Sequence, residues 1–501
     1  MGSDAEQMHR AAGVLLGLAA GDALGAGYEF MPALDPGTPV LMDGGGSFGW
    51  APGEWTDDTD MAAAIALVAA EGLDLRGIDA QDQIVANWHQ WVGQATDVGS
   101  QTRTVLSRAA ARSTATPTAE ALAAASMWLH EQTGHTAGNG SLMRTAPVAL
   151  AYLNDPDGLV EAAASVSQLT HYDPEAGEAC VLWCLAIRHA VLTGALDIRV
   201  GLGHLSAERA EVWSERIDVA ERSLPRNFTN NGWVVEAFQG AWSAITIARD
   251  DVIRPADHLR LGLEEAVRGG RDTDTVAAIA GSLLGAAYGA SAIPARWRRL
   301  LHGWPGLRAR DLVSLSARIV TAGRGDNTGW PVADLQDYPS LTAPAEPVLH
   351  PADDGVLLGG VRHLRALPDG IDAVVSLCRI GAAEAPAPGV DPADHIEVWL
   401  IDREGTEDNP HLDFVLEDTA EVLADLRSEG RTVLLHCVQA YSRTPTMGAL
   451  HAMRSSGLGC GEAIELMQQA LPGCNPNPSF RDALRRLDRS GDLEAKGDLG
   501  E

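Results

Sequence analysis

Gly269-Gly270-Arg271-Asp272-Thr273-Asp274-Thr275 runs straight into Val276-Ala277-Ala278-Ile279-Ala280-Gly281-Ser282-Leu283-Leu284-Gly285-Ala286-Ala287, and this junction decides how the first half of the chain reads. The apolar run is built of small residues, which predicts a helix lying close against its neighbours. Acidic and hydroxyl side chains crowd its start. A second cluster of the same make-up, Trp55-Thr56-Asp57-Asp58-Thr59-Asp60, precedes another small apolar run from Met61 to Ala70. Thr and Asp are favoured helix caps and the helix dipole favours negative charge, so either cluster alone reads equally well as capping. Two such clusters hold more carboxylate than caps need, and the crowding is costly unless a cation neutralises it. Every candidate donor is a hard oxygen, which suits Mg²⁺ or Mn²⁺ and not Zn²⁺.

Outward from this junction the pattern stays helical as far as about Val320. Ala- and Leu-rich segments repeat at three- and four-residue spacing, most clearly over 62–70, 119–130, 159–170, 178–192 and 233–248. This half is expected to be all-α. Between Thr321 and Asp354 Gly, Pro, Asp and Asn accumulate, and a connection is expected over 326–352. Beyond it short apolar runs (355–358, 373–378, 395–401, 432–436) alternate with helical ones (413–428, 446–455), predicting an α/β domain on a mostly parallel sheet. The expected domains are therefore 1–325 and 353–501.

With 501 residues, more than one core is expected. Acidic residues outnumber basic ones 68 to 37, for a formal charge of −31, which argues against nonspecific nucleic-acid binding. Six cysteines show neither metal-ligand nor disulfide spacing, and Cys180 and Cys184, four apart on an apolar helix, read as core. The start lacks the basic region of a signal peptide, and the apolar stretch from Ala11 to Ala20 is too short to span a membrane. A cytoplasmic protein without a membrane partner is expected.

Two glycine-rich segments accompany the acidic clusters. Gly21-Asp22-Ala23-Leu24-Gly25-Ala26-Gly27-Tyr28-Glu29 permits close backbone approach and ends on a carboxylate. Gly138-Asn139-Gly140-Ser141-Leu142-Met143-Arg144 precedes an apolar helix, where free backbone amides can hold phosphate oxygens, although a plain turn has the same composition. Taken in order with Thr170-His171 and Gly232-Trp233-Val234-Val235, these segments resemble the ADP-ribosylglycohydrolase family across about 300 residues. The resemblance implies an orthogonal helical bundle with two divalent ions, Mg²⁺ or Mn²⁺, in a cleft. It makes Thr56, Asp57, Asp58, Asp272, Asp274 and Thr275 the metal ligands and places Glu29 beside the scissile bond. It gives Asp97, Asn139, Gly140, Ser141, Met143 and His171 contacts to ADP-ribose. Relatives carry Gly where Arg271 stands, a departure that would trim the cleft.

In the second half, Val433-Leu434-Leu435-His436-Cys437-Val438-Gln439-Ala440-Tyr441-Ser442-Arg443-Thr444 reads as strand, tight loop and helix start. A Cys followed after five residues by Arg lets the loop amides and a guanidinium surround a phosphate, and the helix N-terminus favours the thiolate. The segment resembles the signature of dual-specificity cysteine phosphatases over roughly 350–490. That resemblance implies Cys437 as nucleophile, Arg443 as phosphate binder, Ser442 and Thr444 as assistants, and Asp402 as general acid ahead of Asp408. Relatives carry Gly at Ala440, where a methyl group is expected either to crowd the loop or to force a strained φ. The expected function is removal of ADP-ribose from a protein side chain or small conjugate, with a phosphatase domain acting on a phosphorylated substrate through a phosphocysteine. The alternative is an ADP-ribose-binding reader fused to a phosphate-binding pseudophosphatase.

Overall fold

The computed structural model describes residues 4–112, 116–324, 344–364, 366–381, 384–405 and 407–488. They fall into two compact units, Met1–Ile293 with Leu300–Asn327 and Pro294–Arg299 with Thr328–Glu501. Residues 326–343 of the expected connection lie outside the described residues.

In the first unit the helices are α1 (Asp4–Gly25), α2 (Asp57–Ala69), α3 (Ile78–Val92), α4 (Ser100–Ala110), α5 (Ala119–Thr133), α6 (Ala146–Ala151), α7 (Pro156–Gln168) and α8 (Pro174–Thr193). They continue with α9 (Ala207–Glu221), α10 (Val234–Ile247), α11 (Asp257–Arg268) and α12 (Thr273–Tyr288). The chain then passes through α13 (Ala295–Leu300), which belongs to the second unit up to Arg299, and returns to the first with a two-residue antiparallel pair, β1 (His302–Gly303) and β2 (Leu307–Arg308), and α14 (Ala309–Val320). The expected helices are all present.

Helices α1 and α12 form the centre, and glycine makes their contact possible. Gly13, Gly17, Gly21 and Gly25 recur every fourth residue and so share one face of α1. A Cβ on Gly17 would lie 2.3 Å from Gly281 O, and one on Gly21 would lie 2.0 Å from Ala277 O. At the end of α1, a Cβ on Gly25 would lie 2.5 Å from Asp274 Cα. The two backbones touch, at the cost of about 0.5–1 kcal/mol of helix propensity per glycine, offset by dense dispersion contact. Residues 273–287 of α12 are buried throughout. By length and composition Ala5–Tyr28 and α8 could each cross a membrane, but 89% and 67% of their apolar windows are buried inside the protein.

The second unit holds a five-stranded sheet of order β3-β4-β7-β5-β6. Its strands are β3 (Val348–His350), β4 (Asp353–Gly360), β5 (Ala373–Ser376), β6 (His395–Glu397) and β7 (Val433–Cys437). Only the β3–β4 pairing is antiparallel. Helices α15 (Leu412–Ser428), α16 (Arg443–Ser456), α17 (Cys460–Ala470) and α18 (Pro478–Arg486) accompany it. The strand expected over 395–401 stops at Glu397. Val398 N still donates to Ser376 O at 2.8 Å, but Leu400 N then turns back onto Val398 O at 3.0 Å, and Asn409 holds Ile401 beyond the turn, accepting from its N at 3.0 Å and donating to its O at 2.8 Å. With both backbone groups occupied, Ile401 cannot join a ladder.

Candidate active sites

Helices α2 and α12 begin inside the acidic clusters, at Asp57 and Thr273, and the capping explanation fails on geometry. Thr56 and Asp272 occupy the N-cap positions, yet neither side chain makes a capping bond. The Thr56 hydroxyl donates to Asp58 at 3.0 Å, and Asp272 accepts from Asn139 Nδ2 at 2.7 Å. The α1–α12 contact brings these ends together. Oxygens of Asp22, Asp58 and Asp274 lie within 4.8 Å of one another, as do those of Glu29, Asp272 and Asp274. Asp274 belongs to both trios.

This assembly is electrostatically unsatisfied. Glu29 Oε2, Asp58 Oδ1 and Asp274 Oδ1 are buried without a hydrogen-bond partner. Burial, then the charges of Asp272, Asp97, Asp57 and Asp22, push the Glu29 carboxyl up to about 9. Asp57, Asp58 and Asp274 are all held well above the ordinary carboxylate range by burial and by one another or their acidic neighbours. Buried carboxylates in this state demand protons or cations. The oxygen-only donor set fits a hard divalent cation. Thr56 and Thr275 are buried in the same two helix starts.

Three supporting residues were not picked out by sequence reasoning. Asp22 accepts from Thr56 N at 2.9 Å, Thr59 N at 2.9 Å and Thr59 Oγ1 at 2.6 Å, so it orients the start of α2. Asp60, the last acid of its cluster, faces away from the trios. It accepts from Trp55 Nε1 at 2.8 Å, Trp91 Nε1 at 2.7 Å and Trp304 N at 3.1 Å. Asn231 donates to Gly270 O at 3.0 Å and accepts from Asp272 N at 3.3 Å, which holds the second cluster. Arg271, the departure from Gly, has φ +67° and is exposed. Its N–H donates to Met31 O at 2.7 Å while its carbonyl accepts from Phe30 N at 2.6 Å. Glu29 is thereby tied to the start of α12.

Of the residues expected to contact ligand, Asp97 lies near enough for its charge to raise Glu29 and Asp57. Asn139 bridges Asp272 and the Asn231 carbonyl. Gly138 and Gly140 pack against the His171 ring. Ser141 faces inward, 2.9 Å from Ser167 Oγ and 3.6 Å from Cys180 Sγ, and Met143 is buried. Cys180 and Cys184 are core residues, as their spacing suggests.

In the second unit β7 ends at Cys437, and the loop leads into α16 at Arg443. Asp402, Cys437, Val438, Gln439, Tyr441, Ser442 and Arg443 line one pocket. Burial pushes the Cys437 thiol up, but Arg443, the Thr444 hydroxyl and amide, and the Gln439 amide overcome it and leave the thiol below its ordinary value. Arg443 is held by Leu400 O at 2.9 Å. Asp402 accepts from Ser442 Oγ at 2.8 Å and Asn477 Nδ2 at 2.9 Å, with Arg443 Nε at 3.8 Å. Asp408 instead lies 3.7 Å from Arg403. Behind the loop, Ser376 Oγ bridges His395 Nε2 at 2.8 Å and His436 Nε2 at 2.6 Å. Ala440 has φ +54°, the left-handed backbone that glycine adopts freely.

Comparison with known proteins agrees with this division. The family described as ADP-ribosylglycohydrolase matches residues 3–328, and dual specificity phosphatase, catalytic domain, matches 382–490. The first part is 31% identical over 303 residues to the ADP-ribosyl-[dinitrogen reductase] glycohydrolase of Rhodospirillum rubrum, covering 58% of this chain and 88% of the relative. It is 30% identical over 308 residues to ADP-ribosylarginine hydrolase Tri1 of Pseudomonas putida (strain GB-1), covering 58% and 74%. The last part is 24% identical over 148 residues to dual specificity phosphatase 28 of Homo sapiens, covering 30% and 82%.

Proposed function

We propose, on the premise that this chain belongs to the ADP-ribosylglycohydrolase family over residues 3–328, that its first unit cleaves the bond between C1″ of ADP-ribose and a protein side chain or small conjugate. The chain is a hydrolase and carries a dual-specificity-phosphatase-like domain after that unit. The observation that carries the reading is the pair of carboxylate trios joined at Asp274, with three buried oxygens left unpaired.

Two Mg²⁺ or Mn²⁺ ions suit that donor set, held by Thr56, Asp57, Asp58, Asp272, Asp274 and Thr275. When bound, such ions orient ribose hydroxyls and lower the pKa of a coordinated water. The chain's own residues supply the rest. Asp22 and Asn139 hold the two acidic helix starts in register. Glu29 lies beside the scissile bond; without ions, burial and the neighbouring carboxylates hold its carboxyl well above the ordinary range, and bound cations would offset that repulsion. The surrounding negative charge favours an oxocarbenium-like sugar. The relatives named as ADP-ribosylarginine hydrolases make arginine the first linkage to test. A cytoplasmic location suits six free cysteines.

In the second unit the proposed chemistry is attack of the Cys437 thiolate on a phosphate ester. Arg443 binds two phosphate oxygens, Asp402 protonates the leaving group, and Ser442 and Thr444 assist breakdown of the phosphocysteine.

The deciding experiment is release of ADP-ribose from ADP-ribosylated arginine and serine peptides with Mg²⁺ or Mn²⁺, comparing wild type with Asp272→Ala. Metal-dependent release that the substitution abolishes supports the hydrolase. Tight ADP-ribose binding with no release from any conjugate would identify a reader instead.

A further inference from the structure

Arg144, Thr170 and His171 form a hydrogen-bond chain whose direction is set at one end. Arg144 is fully buried, and a guanidinium can only donate, so Thr170 Oγ1 accepts from its Nη2 at 2.6 Å. The same hydroxyl, with no solvent exposure, lies 2.7 Å from His171 Nδ1. If Nδ1 donated, the hydroxyl would accept twice, and its own buried proton would have no acceptor among the described residues. If Nδ1 accepts, the hydroxyl proton is placed on Nδ1, and the one ring proton left over sits on Nε2, at the edge that meets the glycine loop. A buried donor without a partner is disfavoured. His171 then carries its proton on Nε2. The doubly protonated ring is opposed by burial and by the charge of Arg144.

The Nε2 edge lies at the glycine loop. A Cβ built on Gly138 or Gly140 would come within 3.2 Å of His171 Nε2. Nε2 itself makes no hydrogen bond among the described residues. The geometry points to Arg144 and Thr170 as positioning residues that hold His171 as the Nε2–H tautomer, so that it donates to an acceptor oxygen of ADP-ribose at the Gly138–Gly140 loop. The identity of that acceptor rests on the hydrolase reading; the tautomer does not.

The test uses the full chain labelled with ¹⁵N-histidine, with the His171 signals assigned by difference from His171→Gln. Wild type is expected to show an Nε2–H imidazole at His171. Thr170→Val, which keeps the shape and removes the hydroxyl, is expected to mix the tautomers and raise the Kd for ADP-ribose about tenfold, the scale of one lost hydrogen bond. Thr170→Ser should restore both. An Nδ1–H signal in wild type, or a Thr170→Val protein with unchanged tautomer, overturns the proposal. If Thr170→Val misfolds, Thr170→Ala, which also removes the hydroxyl, takes its place, with Thr170→Ser as its rescue and the wild-type spectrum deciding the tautomer. If wild type binds no ADP-ribose, the functional reading fails, and the donor role falls with it even where the tautomer holds.

Discussion

Gly21 of α1 and Ala277 of α12 meet backbone to backbone: a Cβ on Gly21 would stand 2.0 Å from the Ala277 carbonyl oxygen. One residue along from this contact is Asp22, whose carboxylate joins Asp58 and Asp274 in a single trio. Gly21→Ala is therefore expected to push the helices apart and cost about 1–3 kcal/mol of stability, the usual range for overpacking. Denaturant unfolding measures it. Gly203→Ala, where a Cβ meets nothing within 4 Å, is the control and should stay within about 0.5 kcal/mol. Divalent-ion affinity should fall in the first variant and not in the second.

Asp274→Asn separates stability from function. Removing the carboxylate shared by both trios is expected to lower metal-dependent ADP-ribose release by at least ~100-fold, more than the loss of an outer supporting group. The same change relieves crowding of buried like charges. In EDTA its melting temperature should rise by about 1–2 °C, the equivalent of one kcal/mol in a unit of this size. A fall in EDTA would mean that Asp274 has a stabilising partner in the ion-free protein.

Ala440→Gly should improve the second unit. The left-handed φ of Ala440 costs about 1 kcal/mol that glycine does not incur. The variant is expected to gain about 0.5–1 kcal/mol in stability and to hydrolyse a phosphotyrosine peptide faster. Cys437→Ser should abolish that hydrolysis in either background. Equal turnover by wild type and Ala440→Gly would show that the methyl group leaves the loop geometry intact.

Cys437 is expected to alkylate with iodoacetamide along a pH curve whose midpoint lies below the ordinary thiol value, because Arg443 and the loop donors favour the thiolate. Arg443→Met removes the largest of these and should move the midpoint up. Cys474, pushed up to about 11 by burial, supplies the slow background. The sign is set by charge: a lost cation makes deprotonation harder. An unmoved midpoint would assign the low value to the Thr444 hydroxyl and the loop amides.

The sequence carried the acidic helix starts, the glycine segments and the phosphate loop plainly, because each needs particular residues in local order. The helices of the first unit were legible from periodicity for the same reason. Asp22 stands in its glycine segment with no local sign of its role, since its three donors come from residues 34 and 37 positions away. Asn231 was hidden likewise, as its partners lie across the fold. Val398 to Ile401 are apolar enough for a strand, but Leu400 N bonds Val398 O and the Asn409 side chain holds Ile401, so β6 ends early. Side chains that act on distant backbone leave no periodic trace.

The two backbone bonds joining Phe30 and Met31 to Arg271 have a mechanical consequence. Glu29 and Asp272 are neighbours of the two paired segments, so they travel as a single body. Moving the backbone at Glu29 away from α12 would strain both bonds and the two residues held at positive φ, Phe30 and Arg271. On the proposed function, room for a bulky conjugate at this edge is expected to come from movement elsewhere, with the Glu29 backbone and the first turn of α12 as the fixed jaw.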